Sequence, residues 1–123
     1  MLRCMLIGAA IGIVTESSAR RLGLWIYRDP MFPIANVIAV FGIVMGAVAH
    51  LVPSLGLGAT FLIAFGIGLI YEIANLAVLH WWYFPDERLA FVRGHAAIVV
   101  TISGLWGALP AAIAGVQAAV FGQ

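Results

Sequence analysis

Two glutamates, Glu16 and Glu72, stand in stretches of this chain that are otherwise almost wholly apolar. Each is preceded at four-residue steps by small residues, Gly8 and Gly12 before the first and Ala64 and Gly68 before the second. That spacing puts each set on one face of a helix. A carboxyl group in apolar surroundings is costly to keep, so it faces a bundle interior or a wet cavity, where it can hold or pass a proton, act as acid or base, or pin neighbouring helices. The two glutamates are also one point of a repeated unit. Leu6 to Tyr27 aligns without a gap to Leu62 to Tyr83 at an offset of 56 residues, with identities at Leu6/Leu62, Ile7/Ile63, Ile11/Ile67, Gly12/Gly68, Glu16/Glu72, Trp25/Trp81 and Tyr27/Tyr83. Glu, Trp and Tyr are scarce here, so their recurrence in register carries more weight than the aliphatic matches.

The repeat reads small-x3-Gly-x3-Glu-x8-Trp-x-Tyr and places one carboxyl at equal depth in each of two helices. Two such groups facing one axis are able to share a proton. The ligand-binding set expected from this pattern is Glu16, Glu72, Asn75, Trp25, Tyr27, Trp81 and Tyr83, and any catalysis would fall to Glu16 and Glu72. Plainer roles compete. Glu16 has Arg20 one turn later as an ion-pair partner. Glu72 has Asn75, Glu16 or Asn36 as partners for a hydrogen bond that specifies assembly without chemistry. The Trp and Tyr positions fit an interfacial aromatic belt as well as a ligand lining. The small faces at Gly8, Gly12, Ala64 and Gly68 suit close helix packing, with Gly12 and Gly68 expected to meet where the first and third helices cross.

No cofactor is expected. His50, after Gly46, and His95, in Gly94-His95-Ala96-Ala97, have the small neighbours that an axial ligand of haem or chlorophyll needs, but no closer fingerprint accompanies them. His50 belongs to one end of the helices and His80 and His95 to the other, so the three make no metal site. Asp86, Glu87 and Arg88 read as a solvated turn, and no nucleophile triad, CxxC pair or phosphate loop is present.

The elements that must position these residues follow from composition. The chain has 123 residues, 64% hydrophobic and 9% charged, with mean hydropathy +1.12. A soluble domain would have about 25% charged residues. Four apolar runs, Leu2 to about Ser18, Ile34 to Leu51, Ala59 to about Trp82 and Ala96 to about Val120, each approach the roughly 20 residues that span a bilayer. Lipid offers backbone amides no partners, and the runs lack the alternation of barrel strands, so they read as helices. The expected fold is an all-α integral membrane domain of residues 1–123. Its four transmembrane helices form two tandem hairpins, about 1–56 and 57–123, in a parallel internal repeat.

There is no Lys. Arg20, Arg21 and Arg28 lie in the first connection and Arg88 and Arg93 in the third, with Arg3 alone on the other side. The positive-inside rule then puts both termini outside, in a bacterial inner membrane. Arg3 before an apolar run and Ser17-Ser18-Ala19 also admit a cleaved signal peptide, which would detach Glu16. Cys4 is the single cysteine, so no intramolecular disulfide is possible. The partners expected are the lipid bilayer and further copies of the chain or a larger membrane complex. Nucleic acid is not indicated.

In outline, four helices with a Glu after small residues in the first, Gly8 to Glu16, the chain is similar to the small multidrug resistance transporters. That family has one membrane carboxylate per chain, and its best-known dual-topology members have a weak charge bias. Glu72 and the five-to-one Arg asymmetry depart from it, so its activity is not carried over. Glu16 to Tyr27 also looks like stretches in bacterial carotenoid-modifying membrane enzymes, over too short a span to name a family. The residues point first to a small polytopic membrane protein, a non-enzymatic accessory or lipid-like-ligand-binding subunit with an intramembrane Glu pair. A proton-coupled small-molecule transporter and a lipid- or isoprenoid-modifying membrane enzyme are the alternatives.

Overall fold

A computed structural model of the chain describes residues 1–122. It is about 80% helical and all-α in character, with four long helices, α1 (Leu2–Leu22), α2 (Phe32–His50), α3 (Val52–Leu79) and α4 (His95–Phe121). All four are long and apolar enough to cross a membrane. Two-residue strands occupy the connections: β1 (Ile26–Tyr27), β2 (Trp82–Tyr83), β3 (Arg88–Leu89) and β4 (Val92–Arg93).

Local chemistry sets the helix boundaries. Helix α1 stops at Gly23, whose left-handed backbone (φ 62°) turns its N–H back to the carbonyls of Ala19 and Arg20. Helix α2 starts with Pro33 in its first turn and widens to π-helical geometry over Val37–Val44. The second connection is shorter than the gap between the apolar runs that end at Leu51 and start at Ala59. The chain re-enters a helical turn at Val52, and only Gly56 (φ 82°) breaks that turn from the rest of α3. At the other end α3 becomes π-helical over Asn75–Leu79 and stops at His80. Asn75 makes that stop. Its Oδ1 accepts from the backbone N–H of Trp81 (2.7 Å) and of Trp82 (3.1 Å), and its Nδ2 donates to the Trp82 carbonyl (3.0 Å).

The helices pack as α1 on α2 and α3 on α4, and the two pairs meet where α2 faces α4. Met45, Ile98 and Ile113 are fully buried in that core, beside Phe41 and Trp106. The expected close crossing of the first and third helices at Gly12 and Gly68 is not what the chain adopts. Each small face is spent inside its own hairpin. A Cβ on Gly12 would come 2.7 Å from Cγ of Phe41 in α2, and one on Gly68 would come 2.5 Å from Cδ1 of Trp106 in α4. Gly8 likewise lets α1 approach the Phe41 carbonyl, and Ala64 is fully buried. A large ring laid across a glycine gives more contact area than two glycines facing each other, which is why the rings fill these places.

Strands β1 and β2 pair antiparallel, Ile26 with Tyr83 and Tyr27 with Trp82. The first and third connections therefore sit together at one end of the bundle. The 56-residue offset carries Ile26 to Trp82 and Tyr27 to Tyr83, and so maps this pairing onto itself.

Gly12→Ala and Gly68→Ala should each destabilise the protein by about 1–3 kcal/mol, since a ring must move out of a packed core. Gly66→Ala meets open space and should leave stability unchanged. Unfolding in detergent, followed by circular dichroism, measures all three; equal stability of the Gly12, Gly68 and Gly66 variants would refute the packing described.

Candidate ligand-binding site

Between the two hairpins, close to the end that carries β1 and β2, lies a cavity of about 270 Å³. Both glutamates line it. Around them stand Trp25, Tyr27, Phe41, Tyr71, Trp82, Phe84 and Trp106, and farther along α4 the lining turns aliphatic at Leu105, Leu109 and Ala112. No Arg, Lys or His borders this space.

The carboxyl of Glu16 is 8% exposed and densely held. The Trp25 indole Nε1 donates to its Oε2 (3.1 Å), while the Tyr27 hydroxyl (2.6 Å) and Asn36 Nδ2 (2.8 Å) donate to its Oε1. Indole and amide N–H groups can only donate, so both oxygens act as acceptors, as those of a carboxylate do. Asn36 extends the network to the other hairpin by accepting from the Tyr71 hydroxyl at 2.7 Å. One side chain of α2 thus ties α1, β1 and α3 together.

Glu72 is as deeply buried, 4% exposed, and far less occupied. Its donor is the Trp106 indole Nε1 at 3.4 Å, a long contact. Trp82 flanks the same carboxyl. With the Trp82 indole as a second hydrogen-bonding neighbour, Glu72 still has fewer and longer contacts than Glu16. The sequence repeat makes the two glutamates equal, and the packed chain makes one a tethered group and the other an open one.

Several expected roles change here. Glu16 does not pair with Arg20; among the described residues the ion pair within 4.0 Å is His95 with Glu87 at 3.9 Å, on the surface. Glu72 bonds to none of Asn75, Glu16 and Asn36, because Asn75 is consumed in ending α3. Trp25 and Tyr27 turn inward onto Glu16 and form no outer belt. Of the expected set, Glu16, Glu72, Trp25 and Tyr27 share the central cavity. Asn75 and Tyr83 line a separate pocket of about 240 Å³ with Arg28, His80 and His95, which touches the central one through Glu72. Trp81 is on the outside, its ring 4.7 Å from that of Phe32. His50 ends α2 at the opposite end of the bundle, and His95 starts α4. The single Cys4 is buried, its Sγ donating to Oε1 of Gln117.

Sequence reasoning missed Phe41, Tyr71, Phe84 and Trp106 as lining and Asn36 as the central bridge. For Asn36 a signal existed, an amide two residues into an apolar run. For the aromatics there was none, because an aromatic in an apolar helix looks the same whether it faces a cavity or lipid. Comparison with known protein families, with curated proteins and with solved structures gives no match. The site must be read from its own chemistry.

Tyr27, in the connection outside the four long helices, shows that chemistry in its titration. Burial, and then the charge and hydrogen bond of Glu16, push its phenol well above the usual tyrosine range. An unfolded phenol loses its proton above about pH 10. The folded chain keeps that proton, so it binds more protons than the unfolded one and stability falls as pH rises past that point. Tyr27→Phe should remove this part of the alkaline slope, and the wild-type minus variant near-UV spectrum should show no phenolate absorbance at about pH 11. A normal tyrosine titration in that difference spectrum would mean that the Glu16–Tyr27 contact does not form.

Proposed function

We propose that this chain is an integral membrane protein of two tandem hairpins related as a parallel repeat, whose central cavity binds a lipid-like ligand entering sideways from the bilayer. The observation that carries this reading is one apolar cavity that holds both repeated glutamates and has exposed residues of α4 on its rim. Leu105 is 61% exposed, and Ala108 and Ala112 are exposed as well.

Three features support the frame around that site. Leu6, Val14, Leu62, Ile70 and Leu105 are each more than 60% exposed on the outer faces of the helices. Such a perimeter associates in water and is at home in hydrocarbon. The self-mapping register of β1 and β2, and the matching of Gly12 under Phe41 with Gly68 under Trp106, are what a parallel repeat produces. Five of the six Arg fall at the end of the bundle joined by β1 and β2, Arg20 and Arg21 in the last turn of α1 and Arg28, Arg88 and Arg93 in the connections, which favours that end as cytoplasmic, with both termini outside, in a bacterial inner membrane. Four helices leave wide apolar flanks, so the protein works as a homo-oligomer or as a subunit of a larger membrane complex.

Binding without chemistry accounts for Glu16, whose hydrogen bonds are already made. The open Glu72 favours a second reading, in which it exchanges a proton with the bound molecule during transport or catalysis. Replacing Glu72 with Gln keeps size and hydrogen bonding and removes the titratable proton. If the role is binding, the variant should still co-purify with ligand; if it is transport or turnover, the variant should bind and do neither.

Two experiments check the proposal. Purification in mild detergent, with mass spectrometry of extracted small molecules, should find a lipophilic ligand in the wild type that Leu105→Trp and Ala108→Trp, which fill the rim, lose while still folding. Ligand retained by both rim variants would refute lateral entry. A C-terminal fusion to a reporter active only outside the cytoplasm should be active, and activity from a cytoplasm-only reporter would reverse the topology.

A further inference from the structure

Resting on that reading of the cavity, we propose that its ligand is an organic cation, an ammonium group carried on an apolar body. The cavity brings two buried carboxyl groups together, and neither has an ion-pair partner. Every donor to Glu16 is neutral, so its hydrogen bonds orient the carboxyl without pairing it to a cation. Glu72, held only by indole contacts, borders the same space. A site of two carboxyls with no cation among them, enclosed by low-dielectric walls, is completed by a positive guest better than by a neutral one, since the guest itself favours their ionised form.

The walls fit the same guest. Trp25, Tyr27, Phe41, Tyr71, Trp82 and Trp106 surround the carboxyls, and they pack on one another as well: the rings of Tyr71 and Trp82 are 4.9 Å apart, and those of Phe41 and Trp106 are 4.8 Å apart. The faces of aromatic rings attract cations, and quaternary ammonium groups are held in aromatic cages of this type. An anionic guest would meet two carboxyls and no basic side chain. The lining also has a direction. Trp25, Tyr27, Trp82 and Phe84 stand at the end that carries β1 and β2, and beyond Trp106 helix α4 offers aliphatic Leu109 and Ala112 over about 9 Å of helix rise. An amphiphile would place its ammonium beside Glu16 and Glu72 and its apolar part along α4 toward the exposed rim.

Benzyltrimethylammonium and neopentylbenzene make the test, because they share one shape and differ by a nitrogen that carries charge. Titration of each into the purified full chain in maltoside micelles is followed by tryptophan fluorescence, which Trp25, Trp82 and Trp106 report from the cavity wall. Empty micelles correct for partitioning. The wild type should bind the cation at least about tenfold more tightly than its neutral isostere, a margin within reach of cation–π and charge contacts together. Glu72→Gln should lose most of that preference while keeping the neutral ligand. Leu105→Trp, with the carboxyls intact, should weaken both. Equal or tighter binding of neopentylbenzene to the wild type would overturn the cation proposal and leave the apolar-ligand reading in place. Failure of both probes to bind would overturn the two together. If Glu72→Gln does not fold, the wild-type comparison of the two probes decides by itself.

Discussion

The demand of a buried carboxyl for hydrogen-bond donors organises this molecule. Glu16 is set in α1 by the same face that carries Gly8 and Gly12, and unsatisfied it would cost several kcal/mol in apolar surroundings. Satisfying it fixes three things at once. Trp25 and Tyr27 must fold back under α1, so the first connection runs inward and reaches β2. Asn36 must face the bundle, which sets the rotation of α2. Because Asn36 also accepts from Tyr71, α3 is drawn to the same point. The joint between the hairpins is therefore polar at one end and apolar at the other, where Met45 and Ile113 close the core.

This dependence explains which parts of the structure were legible in the sequence. The four helices could be read because each is a property of its own run of residues: apolar length, small residues at four-residue steps, and proline or glycine at the ends. The inward placement of both glutamates was legible for the same reason, since it needs only the cost of an exposed carboxyl in an apolar helix. Partners were not legible. That Gly12 receives Phe41 and Gly68 receives Trp106, and not each other, depends on how α2 and α4 are rotated. Those rotations are set by Asn36 and by the pairing of β1 with β2, contacts between residues 20 or more positions apart. The aromatic residues misled in one direction. Trp25 and Tyr27 have the composition and location of an interfacial belt, and only the presence of Glu16 within reach turns them inward.

Asn75 shows how a local and a distant reading compete for one side chain. One turn after Glu72, it has the spacing of a hydrogen-bonded partner on the same helix face. The chain uses it otherwise: both ends of its amide bind the backbone of Trp81 and Trp82. Ending α3 this way delivers Trp82 to Tyr27 in the strand pair and its ring to Tyr71. The residue that would have satisfied Glu72 builds the wall next to it.

That choice makes the two halves chemically unequal despite their matching sequence. In the first half the Trp and Tyr of the repeat, with Asn36, serve Glu16. In the second half Trp81 lies outside, Tyr83 lines the neighbouring pocket, and Glu72 is left with the long contact to Trp106 and with Trp82 beside it. Of the two tyrosines matched by the 56-residue offset, Tyr27 borders the central cavity and Tyr83 does not. The asymmetry divides the labour of the proposed site: a tethered carboxyl that shapes the cavity, and a less occupied one that meets whatever enters it.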